Sequence, residues 1–80
     1  MPRFFFHTRD GERLRDEEGS DCANLMEARR SAVALATSLV NDNPDLVLEH
    51  SVFLVEVTDV TGQTVFRVEV NAVEGGGRRQ

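Results

Sequence analysis

The side chains able to do chemistry are few: His7, His50, Cys22 and a carboxylate cluster at Asp16, Glu17, Glu18 and Asp21. Nucleophilic catalysis would need Cys22 or a serine beside a histidine oriented by a third group. Cys22 stands just before a helix start, where a thiolate is favoured, so an enzyme built on His7 and Cys22 is one reading to weigh. The acidic cluster could reach a hard cation, but the defined ligand spacing of an EF-hand loop is absent. His7 follows three phenylalanines on a strand and could bond Asp16 or Glu18 across a hairpin. That makes His7, Asp16 and Glu18 a candidate small-ligand or metal-sensing site. There is no nucleophile elbow, phosphate-cradling glycine loop or His-Glu-x-x-His helix, and Gly75 to Gly77 lead into no helix. No catalytic residue, metal ligand set or cofactor is expected.

Composition narrows the field further. Eighty residues make one domain near the small end of what folds without staples. A single cysteine rules out an internal disulfide and a zinc-thiolate site. The core must be apolar, or be completed by a second subunit. The net charge is −5, and all nine basic residues are arginine. None of them lies between Arg30 and Arg67, a stretch that carries Asp42, Asp45, Glu49, Glu56 and Asp59. A phosphate backbone would be repelled there, so nucleic-acid binding is not expected. No segment approaches the ~20 apolar residues of a membrane span, and no leader-like segment opens the chain, so the expected location is the cytoplasm.

The elements follow from pattern. Phe4 to Arg9 is an aromatic strand bounded by Pro2 and by Asp10-Gly11, a pair suited to a two-residue hairpin turn. Glu12 to Asp16 returns as a weak edge strand with Leu14 its one apolar residue, and Asp16-Glu17-Glu18-Gly19 is an acidic turn. Asn24 caps a helix, with Glu27 placed to close a capping box. Leu25, Ala28, Ala32, Leu35, Ala36 and Leu39 keep helical spacing, and Met26, Val33 and Val40 widen the stripe. Asn41 through Pro44 ends the helix. Ser51 to Thr58 and Thr64 to Val70 form a second hairpin through Asp59-Val60-Thr61-Gly62. Asp45 to His50 is a connection that could begin the third strand early.

This is a β-β-α-β-β order, an α+β two-layer sandwich with one helix on a four-stranded antiparallel sheet. Counting strands along the chain, the preferred order is 2-1-3-4, with 2-1-4-3 the alternative. The domain is expected over residues 2–73, with a flexible tail at 74–80. The expected core is Phe4, Phe6, Leu25, Ala28, Ala32, Leu35, Leu39, Phe53, Val55, Val57, Phe66 and Val68. Phe5, His7, Leu54 and Val65 then fall on the face the helix leaves open, an interaction surface unless other segments fold over it. The helix's outward residues Ser31, Ala34, Thr37 and Ser38 are small and uncharged, which offers a second surface for a neighbour.

Pro2-Arg3-Phe4-Phe5-Phe6-His7, then Arg9-Asp10-Gly11, Asp16-Glu17-Glu18-Gly19 and the run from Asn24 to Ala32 together resemble a family of short bacterial proteins catalogued as a domain of unknown function. The resemblance runs from Pro2 to about Val70. It departs at the helix start, where Cys22-Ala23-Asn24 stands for Leu-Pro-Asp and Met26 for an acidic residue. It implies one folded unit and no known activity. The expected function is a small non-enzymatic interaction or regulatory module, acting through the open sheet face or as a homodimer, or with another protein partner. The sensor at His7 and the acidic turn, and the His7/Cys22 enzyme, are the alternatives.

Overall fold

The computed structural model describes residues 2–75. The chain runs β1 (Arg3–Arg9), β2 (Arg13–Leu14), β3 (Ser20–Asp21), α1 (Leu25–Asp42), α2 (Asp45–Leu48), β4 (Val52–Thr58) and β5 (Thr64–Asn71). The architecture is α+β, with one main helix on an antiparallel sheet ordered β2-β1-β4-β5 and with β3 also pairing to β1. That order differs from the expected one by β3. The returning strand, expected over residues 12–16, is cut to Arg13–Leu14, and a second short piece that was not expected, Ser20–Asp21, pairs beyond the acidic turn. Arg13 and Leu14 pair with Arg9 and Thr8, and Ser20 and Asp21 pair with Phe4 and Arg3.

Two other local differences have physical causes. The first turn holds three residues, because the pairing resumes at Arg9 and Arg13. Gly11 alone in it takes a positive φ, of 103°, so this is not the two-residue turn expected of Asp-Gly. Asp45 to Leu48 is helical rather than extended. Pro44 sits at φ −58° with its missing N–H outside the ladder, a pre-set first turn, and its carbonyl accepts from the amides of Val47 and Leu48. Ser51, at φ 65°, then redirects the chain into β4.

The helix starts as its sequence implies. Asn24 Oδ1 accepts the Glu27 amide at 2.9 Å, and Glu27 Oε1 accepts the Ala23 amide at 2.6 Å, one residue before the usual capping-box partner. Ala28, Ala32 and Ala36 are fully buried, so small side chains let the helix lie close to the sheet. Beneath them, Phe53, Val55 and Val57 of β4 form the centre of the core, with Phe4, Cys22 and Val47 at its margins. Register puts Phe6 opposite Val57 and Thr8 opposite Val55. Across β5 it puts Phe66, Val68 and Val70 opposite Val57, Val55 and Phe53.

Burial fades toward β5. Phe66 and Val68, like Phe6, Leu35 and Leu39, are half-buried although expected in the core, and Leu25 is exposed at the first turn of α1. Val65 occupies a bulge, since Val57 pairs with Phe66 while Thr58 pairs with Thr64. It packs toward the core rather than lying on the open face. The tail expected from residue 74 lies outside the described residues from 76 onward. Phe53→Ala should cost about 3–5 kcal/mol, and Phe66→Ala about half as much, because it leaves a partly solvated site. Denaturant unfolding of both variants checks this; equal losses would mean that β5 is covered as fully as β4.

Candidate functional site

Backbone alternation decides where each candidate residue points. The Phe6 amide faces the β2/β3 edge of β1, at a position between the two short pairings where no strand carbonyl reaches it. Asp16 Oδ2 accepts it at 3.0 Å in the place of a ladder carbonyl. The other oxygen, Oδ1, accepts the amides of Glu18 and Gly19, both at 3.1 Å, and so folds the acidic turn around the carboxylate. Burial on its own would raise the Asp16 pKa, but the amides of Phe6, Gly19 and Glu18 outweigh it and hold the carboxyl below its ordinary range.

The same turn captures His7. Its Nδ1 accepts the Asp16 backbone amide at 3.0 Å, and its Nε2 lies 3.0 Å from Thr58 Oγ1. An acceptor at Nδ1 places the ring proton on Nε2, which donates to Thr58. His7 is only 5% exposed, and it is held by a backbone amide rather than by the Asp16 or Glu18 carboxylate expected from the sequence. Burial and then the nearby Arg13 guanidinium push its pKa below the ordinary value, against Glu56 and Asp16. Both nitrogens of His7 and both oxygens of Asp16 are thus committed to holding the fold. Glu18 contributes its backbone, donating its amide to Asp16 and accepting from Arg3 at its carbonyl.

An open cleft of about 480 Å³ lies between this turn and the β4–β5 hairpin, with Phe5, His7, Arg15 and Val60 among its walls. Asp59 on its rim is occupied by its own turn, accepting from Thr61 and Gln63. Among the described residues, no three His, Cys, Asp or Glu side chains are grouped to hold a metal ion. Cys22 is buried in the core cluster under α1. His7, opposite Glu56, lies on the other face of the sheet, so the two do not form a pair. Burial, reinforced by Glu27 and Asp21, pushes the Cys22 thiol up rather than down. The helix start therefore does not activate it.

The surface expected at Phe5, His7, Leu54 and Val65 is not brought together as one exposed patch. His7 is buried and Val65 turns inward, while Phe5 and Leu54 are half-buried. Gly19, at φ 75°, lets the turn close over the Phe5 ring, and a Cβ there would stand 2.9 Å from Phe5 Cε2. What residue-by-residue reading missed is on the other side. Arg29 lies over the Phe66 ring, 5.6 Å from its centre, so the flank of α1 carrying Arg29, Val33 and Met26 is the β5 side. Met26 and Val33 are 49% and 45% exposed there, and they are two of the residues that widen the apolar stripe.

Residues 3–71 match the family described as Domain of unknown function (DUF6894), and the chain belongs to that family. It matches no curated protein and no solved structure. Among the described residues, no helix is long and apolar enough to cross a membrane.

The His7 geometry sets a pH dependence. Protonation would put an N–H on Nδ1 against the Asp16 amide, so the folded chain takes up this proton less readily than the unfolded chain. Stability is then complete above the ordinary value of 6.5 and falls as pH drops below it toward the lowered folded pKa. Thermal melts between pH 7 and 5 should show this decline in the parent and not in His7→Ala. An identical slope in both would contradict the assigned tautomer.

Proposed function

We propose that this chain is a non-enzymatic interaction module whose working surface is its β5 side. One observation carries the reading: among the described residues nothing pairs with the outer edge of an eight-residue strand, and the helix beside it carries Met26 and Val33 half exposed. A free edge supplies main-chain hydrogen bonds to an added strand, and apolar residues alongside supply the area that makes such pairing stable. The opposite edge is not comparable, since β2, β3 and the Asp16 carboxylate occupy it. The open sheet face competes less well, with Phe5 under the acidic turn and His7 buried.

The alternatives draw less support. A ligand or metal sensor at His7, Asp16 and Glu18 would have to break bonds that hold the fold before it could bind anything. An enzyme using His7 and Cys22 would need groups that lie on opposite faces of the sheet, one of them a thiol held protonated.

Replacing Met26 and Val33 together by Asp should weaken association with any protein partner roughly tenfold or more, a loss of about 1.4 kcal/mol. Phe5→Asp should leave it near the parental strength. Complexes isolated with each variant and sized by light scattering check this. Association kept by the Met26/Val33 variant and lost with Phe5→Asp would overturn the choice of surface.

A further inference from the structure

The edge of β5 has a self-complementary pattern. The amide of Ala72 donates to the Ser51 carbonyl at 2.9 Å, which turns the even residues of this strand toward β4. The amide of Phe6 facing the far edge of β1 gives the same alternation, carried across the registers of β1, β4 and β5. Arg67, Glu69 and Asn71 therefore point their N–H and C=O groups outward from the sheet. Their side chains lie on the face away from α1, opposite that of Phe66, Val68 and Val70.

Antiparallel pairing of this edge with itself must oppose odd residues to odd residues. A twofold axis at Arg67 would set arginine against arginine, and one at Glu69 would set glutamate against glutamate. An axis at Val68 opposes Arg67 of each copy to Glu69 of the other, in hydrogen-bonded pairs. It also stacks Val68 on its own mate and Phe66 on Val70 on the helix side. Arg67 and Glu69 already bond along the strand at 3.0 Å, so pairing would join two such couples into one alternating square.

The helices point to the same arrangement. α1 packs on β4 and β5. With strands about 4.8 Å apart, a helix centred over those two strands and its symmetry mate would lie about 10 Å apart, the distance at which helices pack. Met26 and Val33, exposed on that flank, would fill the seam.

We infer that the occupant of the β5 edge is a second copy of this chain, paired antiparallel through β5 about a twofold axis at Val68; this rests on the interaction-module reading. The result is one continuous sheet across the dimer with both helices on one face, an isologous contact.

Sedimentation of the full chain over a micromolar-to-millimolar range tests this. The parent should dimerise reversibly. Arg67→Glu alone and Glu69→Arg alone should each weaken dimerisation roughly tenfold, by opposing like charges across the axis. Mixed in equal amounts, the two variants should recover parental association, because the acids of one then meet the bases of the other. Both positions are exposed, and thermal melts verify that the variants fold. A mixture no stronger than its components overturns the register, and a parent monomeric throughout overturns self-pairing. A monomeric parent that still binds another protein through Met26 and Val33 removes the self-pairing alone, while a parent dimer broken by Phe5→Asp and by neither charge change removes the module reading as well.

Discussion

A backbone amide that no strand can reach governs this molecule. The returning chain is too interrupted to pair with the whole of β1, and Phe6 is left between the two short pairings. An unpaired amide in a half-buried strand costs about 1–3 kcal/mol. Asp16 removes that cost by acting as a substitute strand carbonyl, while its second oxygen folds the acidic turn. Its own amide then holds His7, and His7 reaches across to Thr58 on β4. One residue, through its carboxylate and its own amide, thus ties the turn, the first strand and the central strand together.

The rest of the architecture distributes what remains to be covered. A sheet has two faces and two edges, and α1 covers one face. The acidic turn closes over Phe5 at one end of the other face, and Arg13 with Glu56 lies farther along it. The edge of β1 is closed by β2, β3 and Asp16. Among the described residues nothing closes the edge of β5, and burial falls off toward it from Val55 to Val68. The polar network seals one edge, while apolar side chains stand exposed beside the other, and this contrast is what the proposed contact at β5 rests on.

Much of this was legible in the sequence because it depends on local rules. Asn24 and Glu27 announce a helix start through their own hydrogen bonds, and the alternation of Phe53, Val55 and Val57 marks an inward face whatever the strand order. The candidate site was harder. A carboxylate in an acidic run looks solvated until the position of β1 shows which amides it must satisfy, and that depends on contacts ten residues away in sequence. The sequence around His7 points its ring at a carboxylate, since nothing local shows that a backbone amide would claim it. Asp45 to His50 misled for a related reason: a short apolar run fits a strand or a helical turn equally well, and the choice was made by Pro44. The apolar flank of α1 was visible as a broadened stripe, but which of its residues lack cover depends on where Phe66 and Arg29 meet.

The central claim is that one edge of the sheet is sealed from within and the other awaits a second chain. Residue-resolved amide hydrogen exchange across a range of protein concentrations tests it directly. The Phe6 amide should be protected at every concentration, because Asp16 of the same chain holds it. The Arg67 and Glu69 amides should exchange fast in dilute solution and slow down as concentration rises. Fast exchange at Phe6, or exchange at Arg67 and Glu69 that ignores concentration, would contradict the account.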